Sequence, residues 1–499
     1  MSREQEAKKE PQESAAGYKG TTTQHRLNLS KSNKIAYTAV ADWTVLRRRG
    51  KELARIFHVA YIAEGAKPEK RPVTFVFNGG PGAASAYLHM GALGPRRAVF
   101  GDDGSLPPPP AQLVDNAECW LRFTDLVFID PVGTGFSRPV EEQAGDQGKE
   151  KKEDKENEEF WELNRDLESL GEFIQRFLSQ HGRWTSPVFI AGESYGGFRV
   201  AKLARKLQED CGVGLNGAVL ISPAIEFASL LGSDYDMSHW MELFPSMAAS
   251  AWVHGRGLGG EMDLQGCLEK AEAFARNELL TLLGQGASME EGRRQRIYRA
   301  MARFTGLDEG LLQRSNGRVY GHVFARQLLA DQRRYCGLYD ASLTAVDPFP
   351  DRLQYEGPDP TLMAIDRVFR AAINAHLRQG LGVETELDYE LLSLKVNRAW
   401  KQKGDDYYIR QAVGAMDDLR YGMVLNPYMQ VAISHGYYDL ITPYFSTERL
   451  VGLMKLDDSQ RDNLTVQHYQ GGHMFYTWAE SRRAFAQGMR RFYRRAVGA

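Results

Sequence analysis

The chain is 499 residues long, enough to bury one large core with an insertion, or two domains. Its 62 Lys+Arg against 64 Asp+Glu leave a net charge of -2, which gives no reason to expect a nucleic-acid partner, and no apolar run approaches bilayer-spanning length, so no membrane partner is expected either. Four scattered cysteines (Cys119, Cys211, Cys267, Cys336) form no C-x-x-C pair, so no metal, cofactor or disulfide framework is expected; a reducing compartment suits them, and the polar start of the chain, with no apolar leader-like stretch, points to a cytoplasmic protein.

Residues 1–20 are rich in Glu, Lys, Gln and Ser and read as a disordered tail. From about His25 to Ala63 the pattern is one of strands and turns. The apolar run Val73–Phe77 predicts a buried strand that ends in Asn78-Gly79-Gly80-Pro81-Gly82. A proline-rich loop, Pro107 to Pro110, separates it from a strand at Leu126–Ile129, which runs into Asp130-Pro131-Val132-Gly133-Thr134-Gly135-Phe136-Ser137. Residues from about Glu141 to Glu159 are nearly all charged or polar and read as a solvated loop. Leu167, Leu170, Phe173, Ile174, Phe177 and Leu178 recur at helical spacing, so one face of that helix is expected to pack on a sheet. A strand at Pro187–Ala191, a helix at Phe198–Ala204 and a strand at Gly217–Ile221 follow. Strands alternating with helices predict an α/β fold with a mostly parallel sheet covered on both faces. The rhythm stops near Ile225 and resumes only at Met429–Ser434 and Leu464–His468, before a terminal helix from about Trp478. The expected organisation is therefore a core of residues 21–224 and 426–499. Residues 225–425 form a helical insertion that caps the functional edge of the sheet.

Gly192-Glu193-Ser194-Tyr195-Gly196-Gly197 stands between a predicted strand and a predicted helix. A serine at the apex of so tight a turn, with glycines two positions away on each side, is presented at the carboxyl edge of the sheet as a nucleophile. It needs a base and an orienting acid, which in α/β-hydrolases follow in the order Asp or Glu, then His. Asp439, after the strand ending at Ser434, and His473, after Gly471-Gly472, stand in that order on glycine-softened loops. His435 and His468 are rivals, the first at a strand end and the second within a strand. The oxyanion requires aimed N–H donors. Tyr195, directly after the nucleophile, is one source, and the Asn78–Gly82 loop is the other.

Asn-Gly-Gly-Pro-Gly, Pro-Val-Gly-Thr-Gly-Phe-Ser, Gly-Glu-Ser-Tyr-Gly-Gly, the Asp439 loop and Gly-His-Met occur in the order of the serine carboxypeptidase family of α/β-hydrolases, which the chain resembles over about residues 70–224 and 425–499. The resemblance implies an α/β-hydrolase fold with a helical insertion, and a Ser194-His473-Asp439 triad. It further implies oxyanion N–H groups from Gly80 and Tyr195, and recognition of a peptide's free terminal carboxylate by Asn78, Gly79 and Glu193. Glu193 would meet that carboxylate only with a proton between them, since two adjacent carboxylates do not both ionise. Two positions depart from the family pattern. Ala83-Ala84-Ser85 stands where Cys-Ser-Ser is usual, and Ala92 stands where a second carboxylate-binding Glu is usual. The activity implied is release of C-terminal residues from peptides. An esterase or acyltransferase using the same triad is an alternative, as is a non-catalytic binding protein on the same scaffold.

Overall fold

The computed structural model describes residues 18–29, 34–140, 158–352, 354–400 and 413–498. The expected tail, apart from its last three residues, and most of the expected charged loop lie outside them.

Among the described residues, nine strands form the main path of the central sheet: β1 (Thr21–Asn28), β2 (Lys34–Arg48), β3 (Lys51–Ala63), β4 (Val73–Phe77), β5 (Asp125–Ile129), β6 (Val188–Glu193), β7 (Gly217–Ile221), β8 (Gln430–Gly436) and β9 (Leu464–Tyr469). A two-residue strand, Arg138–Pro139, also pairs with β3. Their order is β1-β2-β3-β5-β4-β6-β7-β8-β9. The first three run antiparallel and β3 meets β5 antiparallel, whereas every pair from β5 to β9 is parallel. This is the α/β-hydrolase architecture expected from the sequence. β4, β5, β6, β7 and β8 are buried at every residue, which is why they read as mainly apolar runs rather than alternating ones.

The parallel register aligns the strand ends. Phe77 pairs with Gly192, Glu193 with Ile221, Ile221 with Ser434, and Gly436 with Tyr469. The loops after these strands, which begin at Asn78, Ser194, Ser222, Tyr437 and Gln470, therefore emerge along one edge.

Helix α1 (Leu163–Gln180) and helix α2 (Tyr195–Glu209) cover one face, packing Leu170, Phe173, Phe177, Val200 and Leu203 against Phe75, Ile190 and Leu220. On the other face the terminal helix packs Phe485, Met489, Phe492 and Tyr493 against Phe189 and Val219.

Residues 225–425, expected to form one cap, divide into two structural parts. The stretch from Trp240 to Ala341 has a hydrophobic core of its own, shared with Tyr438, Leu440, Tyr444 and Phe445. An antiparallel ribbon, Arg334–Cys336 with Thr344–Val346, closes the end of this stretch. The remainder returns to the sheet. Helix α3 (Met363–Asn374) contributes Ile365, Val368, Phe369 and Ile373 to the core under the terminal helix. Helix α4 (Met416–Leu425) packs Leu419 and Met423 beside α2. The apolar faces of α3 and α4 are thus buried in the two cores that flank the sheet.

Candidate active site

Ser194 sits between β6 and α2 with φ 60° and ψ −124°, a conformation unfavourable for a residue bearing a Cβ. The turn is held by Ser194 N donating to Ile221 O at 2.9 Å, and by Gly197 and Ala224 donating to Ser194 O at 2.9 and 3.1 Å. The flanking glycines follow from that tightness: a Cβ on Gly192 would lie 2.2 Å from Gly196 O, and one on Gly196 would lie 2.6 Å from Phe77 O.

His473 and Asp439 come together from the loops after β9 and β8. His473 Nδ1 and Asp439 Oδ2 are 2.7 Å apart. This pairing selects the Nδ1–H tautomer and leaves Nε2 as the basic nitrogen. Asp439 Oδ1 accepts from the backbone N–H groups of Ile441 at 2.8 Å and Thr442 at 3.0 Å. The Thr442 hydroxyl reaches Asp439 Oδ2 at 2.7 Å. Burial pulls the His473 pKa down, but the charge and hydrogen bond of Asp439, helped by Glu193, outweigh it and leave the value raised.

The two rival histidines are placed elsewhere. His435 is fully buried with Nε2 2.8 Å from Thr447 Oγ1, and burial depresses its pKa far below the ordinary value. His468 Nε2 lies 3.4 Å from Glu448 Oε1, and burial lowers its pKa to about 4.

The Asn78–Gly82 loop is pressed against the elbow. A Cβ on Gly79 would lie 2.4 Å from Tyr195 N, so only glycine allows the approach. Tyr195 N–H belongs to the first turn of α2, where helix geometry leaves it without an intrahelical acceptor. Asn78 Oδ1 accepts from Leu88 N at 3.0 Å, and Asn78 Nδ2 donates to Glu193 Oε2. Glu193 is buried, and the Tyr476 hydroxyl lies 2.9 Å from both of its carboxyl oxygens. Burial pushes the Glu193 pKa up to about 7, against the lowering pull of His473 and of the hydrogen bonds from Tyr476 and Asn78.

One pocket joins these groups. It holds about 460 Å³ of empty space and is lined by Asn78, Gly79, Gly80, Glu193, Ser194 and His473, with Tyr87, Tyr339, Leu362, Leu392 and Met474 among its walls. Its described lining residues include no Lys or Arg. Ala92, the second departure, is buried and has no acidic group to offer.

Several supporting residues had no sequence signal. Arg199, fully buried one turn into α2, pairs with Asp166 through Nε to Oδ2 at 2.7 Å and donates Nη1 to Asn78 O at 2.8 Å. Tyr339 O accepts His473 N–H, and Asp340 Oδ2 accepts Gly472 N–H at 2.8 Å and Trp478 Nε1–H at 3.1 Å. These residues are joined only by the fold.

Residues 45–250 match the model of the serine carboxypeptidase family, which supports the resemblance carried by the motifs within that segment. Over 199 residues the chain is 28% identical to serine carboxypeptidase-like 13 of Arabidopsis thaliana, covering 38% of this chain and 41% of that one. Over 176 residues it is 30% identical to the pheromone-processing carboxypeptidase kex1 of Schizosaccharomyces japonicus, covering 35% of this chain and 29% of that one. The chain thus spans well under half the length of these relatives. A soluble variant of monoglyceride lipase from Saccharomyces cerevisiae aligns over 91% of this chain and 95% of its own at 10% identity and a TM-score of 0.40, too slight a likeness to argue from.

Proposed function

We propose that the protein is a serine-type carboxypeptidase that releases the C-terminal residue of peptides through an acyl-enzyme. Ser194 Oγ attacks the scissile carbonyl carbon while His473 Nε2 takes its proton, and Asp439 stabilises the imidazolium. Gly80 and Tyr195 N–H groups receive the oxyanion. The C–N bond then breaks, the departing amine takes the proton from His473, and water repeats the sequence to free the acyl group. Asn78, Gly79 and Glu193 hold the terminal carboxylate of the substrate.

The observation that carries this reading is the strained Ser194 sharing one pocket with His473, whose Nδ1 is 2.7 Å from Asp439. The family match supports the reaction class. An esterase or acyltransferase reading is favoured by Ala92 and by a pocket whose described lining residues carry no cation for a carboxylate. Matched N-blocked peptides with a free C-terminus, an amide and an ester separate the two. Preference for the free acid at mildly acidic pH supports the carboxypeptidase, and preference for the ester at every pH overturns it. A fluorophosphonate probe that fails to label Ser194 would leave only the binding-protein reading. A cytoplasmic location is proposed as well, supported by all four cysteines being unpaired, and a fractionation of the source cells that finds the protein outside the cytosol would reject it.

A further inference from the structure

We propose that Tyr476 is the positioning residue that sets the pH range in which the Glu193 subsite accepts a carboxylate, by making that subsite titrate as one carboxyl group. The inference rests on the reading that Glu193 faces the terminal carboxylate of the substrate.

The geometry is specific. Tyr476 lies in the short turn Phe475–Thr477, three residues after His473, so one loop delivers both the base and the partner of Glu193. Its ring is fully buried and packs beside Gly91, where a Cβ would lie 2.5 Å from Tyr476 Cε2. The lack of a side chain at Gly91 leaves room for the ring. The hydroxyl spans both oxygens of Glu193 at 2.9 Å, while Asn78 Nδ2 donates to Oε2.

A phenol and a carboxyl beside Glu193 have different consequences. Two neighbouring carboxyls share a proton and titrate in coupled steps. Tyr476 keeps its proton, because burial and the adjacent carboxylate push its pKa well above the ordinary tyrosine value. It therefore always donates and holds Glu193 toward the ionised form. Other groups face Glu193 from the neighbouring elements. His473 favours its ionisation and Asp439 opposes it. Tyr87, whose hydroxyl donates to Asp366 Oδ1 at 2.7 Å, and Tyr339 line the same pocket. None of these exchanges places when Tyr476 is changed, so the donor can be tested by itself.

The experiment is KM and kcat against pH for a matched peptide acid and amide, in wild type and Tyr476→Phe. In the wild type, KM for the acid should rise with pH through a single inflection of unit slope, with the amide flat. In Tyr476→Phe the loss of a hydrogen bond to the carboxylate should move that inflection up by about one pH unit, so that the acid KM is about threefold lower just above the wild-type inflection and about tenfold lower well above both inflections. An infrared band of protonated Glu193, identified by its loss in Glu193→Gln, should titrate with the same upward shift. Divergent acid and amide profiles in the wild type with an unmoved inflection in Tyr476→Phe overturn the proposal alone, as does an equal change for acid and amide. Parallel acid and amide profiles in the wild type overturn the carboxypeptidase reading and this proposal with it. Should Tyr476→Phe not fold, the wild-type profile still decides, since two inflections or a slope above one would mean a second titrating group.

Discussion

The backbone N–H of His473 donates to the carbonyl oxygen of Tyr339 at 2.5 Å, tying the last loop of the sheet to a ribbon in the inserted region. Asp340, next to it, takes the N–H of Gly472. The insertion is thus a scaffold for the candidate base as well as a wall of the pocket. On sequence grounds a cap could be removed with the triad surviving, but these bonds and the return of α3 to the core change that expectation.

Excision of residues 225–425 should therefore abolish hydrolysis of peptides and of small activated esters alike. Retained ester hydrolysis in a folded excised protein would show that the His473 loop stands without Tyr339.

Asp340→Ala should leave the Gly472 and Trp478 N–H groups buried without an acceptor, at a cost of about 1–3 kcal/mol. Fluorophosphonate labelling should slow by about tenfold or more, and Asp340→Asn, which keeps one acceptor oxygen, should recover most of it. Urea unfolding and labelling rates on the same samples check both. Lowered stability with an unchanged labelling rate would reduce Asp340 to a purely structural role.

Ser194→Ala or His473→Ala should remove several orders of magnitude of kcat with the fold retained, since the three groups act as a unit. Asp439→Asn should cost somewhat less. Steady-state kinetics with circular dichroism as the folding control is the measurement, and full activity in Ser194→Ala would dismiss the nucleophile.

Glu193, with its pKa pushed up to about 7, is protonated below that pH and donates to a substrate carboxylate. As pH rises through 7 it becomes charged and repels it, so KM for a free acid should climb while KM for an amide holds. Glu193→Gln, which keeps a donor at every pH, should flatten the climb.

Stability should carry the same sign. Burial raises the pKa values of Asp130 and Asp340 to about 6. Both lie above their unfolded values, so between about pH 4 and 6 the folded state binds more protons than the unfolded one. Their contribution is fully present below pH 4 and is lost as pH rises through 6. Asp130→Asn and Asp340→Asn should each reduce the slope of unfolding free energy against pH in that window, as measured by denaturant titration.

Much of this protein was legible in the chain. Val73–Phe77, Leu126–Ile129 and Gly217–Ile221 read as buried strands because parallel strands covered on both faces must be apolar throughout. Gly192 and Gly196 marked the elbow because no larger residue clears the opposing carbonyls. The order of Ser194, Asp439 and His473 singled out one candidate acid and one candidate base from several, and these two lie 2.7 Å apart. Such signals are local, since each depends on a few consecutive residues and the backbone shape they require.

Only the tertiary structure decided the rest. Tyr476 beside Glu193 joins residues 283 positions apart, Arg199 reaches the Asn78 carbonyl across 121, and Gly472 meets Asp340 across 132. Nothing in the neighbourhood of any of these residues fixes its partner. The partnership is set by strand order and by where the insertion folds back, which follow from burying the apolar faces of α3 and α4 in the cores on the two sides of the sheet. Sequence by itself determined the strands, the elbow and the order of the candidate triad. The fold decided which buried donors and acceptors surround them, because a hydrogen bond between distant residues depends on the packing of the whole core.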